Sequence, residues 1–322
     1  MAHAPGLQEF AAISRLAALF RAPERQVELG IGDDAAVLKP LGRIVWTVDS
    51  AVEHVHFERR WLSLADLGWR SFNAAASDVC AMGASPLAAL SSVIFPRGFS
   101  AAQLSELARG QRAAARALGC SVIGGNLSRG AELSVTTTVI GRVTRALLRS
   151  GAEVGDELWL CGELGLAAAG LRLLQRGRPS KSAAARRALA VFRRPRAQLA
   201  AGLALGKRAH AAIDISDGLA GDAGHLAKAS GVRLEFDSVA LEACLTPALR
   251  IVARELGVSA LELALHGGED YALLATGPRR RRPPEARSIG RVLAGRGVWL
   301  VEAGRARRAG AGFQHSSAQP SS

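Results

Sequence analysis

The sequence predicts an α+β protein of two mixed domains. Segments with helical apolar spacing alternate with short β-branched runs, and no repeat unit recurs along the chain. The length of 322 residues, with 49% hydrophobic and 21% charged, is enough for two cores. Between two blocks of such elements lies RSGAEVGDE (149–157), whose Gly and charges mark a linker. The expected domains are therefore 1–149 and 150–322.

In chain order, residues 8–20 carry helical spacing and 44–49 (IVWTVD) read as a strand ending on an acid. Ser63 with Asp66, and Ser100 with Gln103, form capping-box signatures for helices over 64–82 and 101–118. Strands are expected at 87–95, 120–123 and 133–143, the last β-branched and alternating. The second block should hold a strand at 157–161, helices at 164–175 and 183–206, and a strand at 211–215. A helix over 219–230, a strand at 232–236 and later short strands complete it.

Several function classes are disfavoured at once. No apolar run approaches a membrane span, and MAHAPGLQEF lacks the charged and apolar regions of a secretory signal. Cys80, Cys120, Cys161 and Cys244 show no metal or redox spacing and read as small core residues of a cytoplasmic protein. The net charge of +13 is concentrated near the end: from Arg279 onward ten Arg face two Glu. That stretch, RRRRPP and GRARRAG, reads as solvated loops. With one Tyr in the chain and no nucleic-acid motif, neither a nucleic acid nor a membrane is an expected partner.

The acids carry the chemical signal. Asp33 and Asp34 lie in GIGDDAAVL, Asp49 ends a strand, and Asp78 lies in SDVCAMGASP. Asp214 and Asp217 lie in AIDISDGLAGD, with Glu269 and Asp270 in HGGEDYALL. Ionised carboxylates in such apolar, Gly-rich settings need partners, and few Lys or Arg accompany them. An oxygen-only set favours magnesium, with phosphate oxygens completing its shell. Each motif also has a plain reading as a turn or helix cap; it is the four together that point to a site.

No Walker loop is present. The GxGxxA at 30–35 is rejected as a dinucleotide motif, because Pro40 leaves no room for the helix and two Asp would repel a pyrophosphate. Gly124 and Gly125 in IGGNLSRG follow a short strand and offer backbone N–H groups to phosphate, or else form a tight turn. His54 and His56, in EHVHF, share a side if that segment is extended. They suit substrate contact, zinc or a plain surface, with no third zinc ligand evident.

The ordered set GIGDDAAVL, TVDSAVEHVHF, SDVCAMGASP, IGGNLSRG, RSGAEVGD, AIDISDGLAGDAGHL and HGGEDYALL, with GFQH at 312–315, resembles the thiamine-monophosphate kinase family. That family lies in the aminoimidazole ribonucleotide synthetase-like superfamily. The resemblance implies ATP-dependent phosphorylation of thiamine monophosphate to thiamine diphosphate. It also implies a homodimer pairing through the N-terminal sheets, with the active site between domains. Carried over by motif, Asp34, Asp49, Asp78, Asp214 and Asp217 hold several magnesium ions, with Asp33 close by and Thr47 contributing; a potassium requirement stays open. Gly125, Asn126, Arg149 and Ser216 fall to ATP, and His56, Glu269 and Phe313 to the thiamine phosphate. Asn126 stands where the family pattern has Asp, which removes one negative charge.

For such a reaction no catalytic general base is expected, because the attacking phosphate oxygen is already ionised. The requirement is charge neutralisation for two anions to approach within about 3 Å. Among rivals, selenophosphate synthetase should carry a reactive Cys near its start, and the hydrogenase-maturation relative should finish on a Cys. Neither feature is present. A nucleic-acid or anion-binding protein is supported only by the basic C-terminal stretch.

Overall fold

The computed structural model describes residues 9–20, 27–29, 37–39, 42–177 and 181–310. They divide into two compact units, Met1–Ala146 with Arg193–Leu203, and Leu147–Phe192 with Ala204–Ser322. Among the described residues no helix is long and apolar enough to cross a membrane.

The first unit contains α1 (Glu9–Phe20), β1 (Val27–Leu29), β2 (Val37–Leu38), β3 (Ile44–Val52), α2 (Leu64–Ala81), β4 (Ser85–Phe95), α3 (Ala101–Ala117), β5 (Ser121–Arg129) and β6 (Ser134–Arg142). β1 and β2 pair with each other; the other four strands form a sheet in the order β3-β6-β4-β5. β4 and β5 are parallel and joined through α3. Both capping boxes form, Ser63 with Asp66 and Ser100 with Gln103. One sheet face supplies Val45, Ala89, Val122 and Val139 to a core closed by Phe72, Ala76 and Val79 of α2 and Ala108 and Ala115 of α3. Two glycines set the approach of these helices: a Cβ on Gly68 would collide with the Leu107 carbonyl, and one on Gly110 with the Ala65 carbonyl. The opposite face is bare. Trp46 and Val48 of β3 are 63% and 62% exposed, and Leu90 and Ile94 of β4 are exposed beside them. Large apolar side chains rarely cluster this way on a monomer's surface.

The second unit contains β7 (Glu157–Cys161), α4 (Leu166–Gln175), α5 (Ala183–Arg193), the end of α6 (Leu199–Gly206), which begins within the stretch assigned to the first unit, β8 (Ala211–Ile215), α7 (Leu219–Ser230), β9 (Arg233–Asp237) and α8 (Ser238–Cys244). After these come α9 (Pro247–Leu256), α10 (Ala260–His266), β10 (Ala272–Gly277), β11 (Arg287–Leu293), β12 (Gly297–Glu302) and β13 (Arg305–Arg308). Its sheet runs β13-β12-β9-β11-β7-β10-β8, antiparallel except for β12 with β9. Leu158, Leu160, Ile213, Ile215, Leu234, Phe236 and Leu274 alternate onto one face and form the core with the helices. All four cysteines are buried, and none of them is in a disulfide.

Three expectations need correcting. The single helix over 183–206 is two helices, because Pro195 cannot continue one. The intervening stretch docks on α2: the Trp69 indole donates to the Pro195 carbonyl at 2.6 Å, and the Asn73 side chain accepts from the Ala197 N–H at 3.0 Å. The chain therefore re-enters the first unit over 193–203, which a break near 149 did not anticipate. Finally, the Arg-rich C-terminal stretch is not all loop. Arg279–Arg281 form a 3-10 turn, and RARR pairs with β12 as β13.

Candidate functional site

Each unit carries its own group of the expected residues. In the first, β3 alternation puts Thr47 and Asp49 on the face whose neighbour Val45 is in the core. The Thr47 hydroxyl donates to Asp78 Oδ2 at 2.6 Å, linking β3 to the last turns of α2. An acid there sits at the negative end of the helix dipole, an unfavourable place without a cation, and no ion pair to Asp78 is present among the described residues. Asp49 is exposed, and its Oδ1 accepts its neighbour's N–H, Ser50, at 2.7 Å. Directly across from Asp49 is Thr137, whose buried hydroxyl has no hydrogen-bond partner. An all-oxygen donor set beside an orphaned hydroxyl suits a hard divalent cation.

The sheet register places the glycine motif. Asp49, Thr137, Ser91 and Gly125 are successive cross-strand neighbours, so Gly125 shares the row of Asp49. Gln111 donates to the Ser91 hydroxyl at 2.8 Å beneath that row. Gly124 and Gly125 lie inside β5, not in a turn after it, because β5 runs on to Arg129 alongside β4. A Cβ at Gly125 would collide with the Ser91 carbonyl, which explains the residue. Asn126 aligns with Ser92, Thr136 and Ser50 on the opposite, bare face. It is exposed and donates to the Ser128 hydroxyl at 3.0 Å.

EHVHF is a turn rather than a strand, with His54 at φ +65°, so His54 and His56 do not share a strand face. His56 is half-buried, its Nδ1 accepting the Val52 N–H at 3.2 Å; His54 Nδ1 instead lies 3.2 Å from Glu58.

In the second unit β8 is wholly buried and ends at Ser216-Asp217-Gly218, where α7 begins. Asp214 is 5% exposed and lies on the sheet face away from Ile213 and Ile215. The turn is held from within: Asp222 Oδ2 accepts the N–H groups of Ser216 and Asp217, each at 3.0 Å. Burial pushes the Asp222 carboxyl up to about 7, and the Asp217 charge adds to this. The two N–H groups and the Arg149 charge oppose it. Arg149 itself is exposed, its carbonyl accepting from the Ser230 hydroxyl at 2.9 Å.

A second loop is stitched to this turn. The Glu269 N–H donates to the Ser216 carbonyl at 2.7 Å, and the Tyr271 N–H to the Ile215 carbonyl at 2.8 Å. Gly268 lies so close to Ser216 that a Cβ would strike its carbonyl. Glu269 and Tyr271 both adopt positive φ, +70° and +48°, conformations costing about 1–3 kcal/mol each. The Tyr271 hydroxyl donates to Glu269 Oε2 at 2.7 Å and fixes that carboxylate. Asp270 turns inward: its Oδ2 accepts the Gly165 N–H at 2.6 Å and its Oδ1 the Ala167 N–H at 3.4 Å, at the start of α4. Burial pushes its carboxyl up to about 8 against the pull of those N–H groups.

The structure thus brings Thr47 to Asp78, sets Gly125 in the row of Asp49, and joins Ser216, Asp217 and Glu269. Asp33, Asp34 and Phe313 lie outside the described residues. Among the described residues the expected acids form no cluster of three; the one such group of His, Cys, Asp or Glu there is Glu153, Asp156 and His210. Sequence reasoning gave no role to Asp222 or Tyr271, which hold the expected residues in place. The available signal was Asp222 in the first turn of the helix that follows the Asp217-Gly218 pair.

Comparison with known proteins gives a consistent picture. The family models described as AIR synthase related protein, N-terminal and C-terminal domains, match residues 32–143 and 153–300. A curated thiamine-monophosphate kinase of Mycobacterium tuberculosis is 40% identical over 301 residues, 92% of this chain and 88% of the relative. The crystal structure of thiamine-monophosphate kinase from Stenotrophomonas maltophilia K279a superposes with a TM-score of 0.81 at 34% identity. It covers 93% of this chain and 98% of that one. A solved structure of AaThiL complexed with AMPPCP and TMP has a TM-score of 0.78 at 32% identity, covering 94% and 97%.

Proposed function

The chain belongs to the AIR synthase related family, within its thiamine-monophosphate kinases, and from that membership we propose that it moves the γ-phosphoryl group of ATP directly onto thiamine monophosphate, yielding thiamine diphosphate. The observation that carries this reading is the paired loop in which Asp222 and Tyr271 present Ser216, Asp217 and Glu269 together. A relative of 32% identity is complexed with AMPPCP and TMP, which fits the proposed pair of substrates.

In this proposal Thr47, Asp49 and Asp78 of the first unit and Asp214 and Asp217 of the second hold magnesium, with Asp33 and Asp34 joining them. Bound magnesium would supply the positive charge that lets two anions meet and that stabilises the in-line transition state. Gly125, Arg149 and Ser216 contact ATP: the glycine by lacking a side chain, the arginine by its charge. His56, Glu269 and Phe313 orient the thiamine phosphate. No residue needs to take a proton from the nucleophile, so the protein's contribution is placement and charge balance. The bare face bearing Trp46, Val48, Leu90 and Ile94 supports a homodimer paired through this sheet.

The test is incubation of the full chain with ATP, magnesium and thiamine monophosphate, separating the products chromatographically. Thiamine diphosphate and ADP in equal amounts are expected, with loss of at least about 100-fold in rate for Asp217→Ala. ATP consumed without thiamine diphosphate, or full activity in Asp217→Ala, would overturn the reading.

A further inference from the structure

Glu153, Asp156 and His210 each offer one ligand atom within 4.8 Å of the others, and none of them belongs to the acids assigned to magnesium above. The Asp156 N–H donates to the Glu153 carbonyl at 3.0 Å, while Asp156 Oδ2 accepts the Glu153 N–H at 3.0 Å, which ties both acids into one turn. His210 stands just before β8, its N–H donating to the Thr276 carbonyl at 2.8 Å. Its Nδ1 lies 3.1 Å from both Asp156 oxygens and 3.6 Å from Glu153 Oε2. Asp156 is 4% exposed, and among the described residues His210 is the ion-pair partner of both acids, with no Lys or Arg in an ion pair with either. A buried carboxylate and a second acid facing an imidazole leave negative charge uncompensated whenever that ring is neutral.

We propose that these three side chains bind one divalent transition-metal ion of the zinc class. Bonds of about 2.0–2.1 Å at tetrahedral angles set ligand atoms about 3.3 Å apart, a spacing that three donors already within 4.8 Å of one another reach through small side-chain movements. An octahedral magnesium of similar bond length needs neighbouring ligands about 2.9 Å apart and all-oxygen donors. The imidazole nitrogen donor therefore selects against magnesium. The backbone bonds to Asp156 and His210 hold the ligands before the ion arrives, as supporting hydrogen bonds do in metal sites. Three protein donors would leave the fourth tetrahedral position to a water.

The experiment uses the untagged full chain, stripped with a chelator and titrated with cobalt(II) while millimolar magnesium occupies oxygen-only sites. Visible d–d absorption saturating at one equivalent and abolished by zinc is expected. His210→Ala and Glu153→Gln should each weaken cobalt binding at least about tenfold. Glu153 has an exposed side chain, so Glu153→Gln preserves the fold and keeps the test decisive even where His210→Ala loses stability. No absorption at a tenfold excess of cobalt, or wild-type affinity in either folded variant, would overturn the proposal.

Discussion

Asp222 holds Asp217 from behind: its Oδ2 accepts the Asp217 N–H at 3.0 Å and shares that oxygen with the Ser216 N–H. Removing the carboxylate leaves two N–H groups without their acceptor, at a cost of about 1–3 kcal/mol. Asp222→Ala should lower the unfolding midpoint and reduce kcat/KM for thiamine diphosphate formation by at least about tenfold. Asp222→Asn retains an acceptor oxygen and should lose less of both. Thermal melts with steady-state kinetics check this; equal loss in the two variants would mean that the accepting oxygen is not what matters.

The Thr47–Asp78 bond permits a shape-preserving test. Thr47→Val keeps the β-branched volume and removes the hydroxyl. The fold should persist, with a stability change of about 1 kcal/mol, while the magnesium concentration for half-maximal activity rises about 10–100-fold. An unchanged magnesium dependence would exclude Thr47 from the metal-binding group.

Asp270 gives a pH signature. Its carboxyl has an ordinary value of 3.8 and is raised by burial to about 8 in the folded protein. Between these values the native state binds a proton that the unfolded chain lacks. Its contribution to stability is therefore complete below about pH 4 and is lost as pH rises through about 8. Asp270→Asn stays neutral throughout and should flatten this part of the profile. Urea midpoints at pH 5 and pH 8.5 measure it: the wild type should fall further than the variant, and equal falls would refute the assignment.

For the bare sheet face, Trp46→Glu combined with Val48→Glu places two charges among exposed apolar side chains. Burying charge in a shared apolar interface is costly, so the dissociation constant of the proposed dimer should rise by about 100-fold or more with the circular dichroism spectrum unchanged. Sedimentation velocity across a concentration series reads this directly. A dimer of unaltered strength would locate the pairing surface elsewhere.

Local signals were legible where the chemistry is local. Ser63 and Ser100 announced their helices because a hydroxyl followed three residues later by Asp or Gln satisfies both ends of the cap. Strand β8 and helix α7 fall at the residues expected from the sequence, 211–215 and 219–230. What remained hidden depends on distant partners. Gly124 and Gly125 read in sequence as a phosphate-binding loop or a tight turn after a short strand, yet β4 lies alongside and continues them as a strand. EHVHF has strand-like composition, but His54 takes a left-handed conformation that no alternation pattern reveals. The capping role of Asp270 joins residues 105 apart, beyond the reach of any local spacing.

The return of residues 193–203 to the first unit means that neither half of the chain is a separable module. A fragment ending at residue 146 would leave the Trp69 indole and the Asn73 amide without the backbone groups that answer them, and Cys80 without Gly202 pressed against it. A gene cut into halves would therefore yield pieces with raw surfaces. Loss or gain of one half by recombination is correspondingly disfavoured, because the loop that completes the first is encoded within the second.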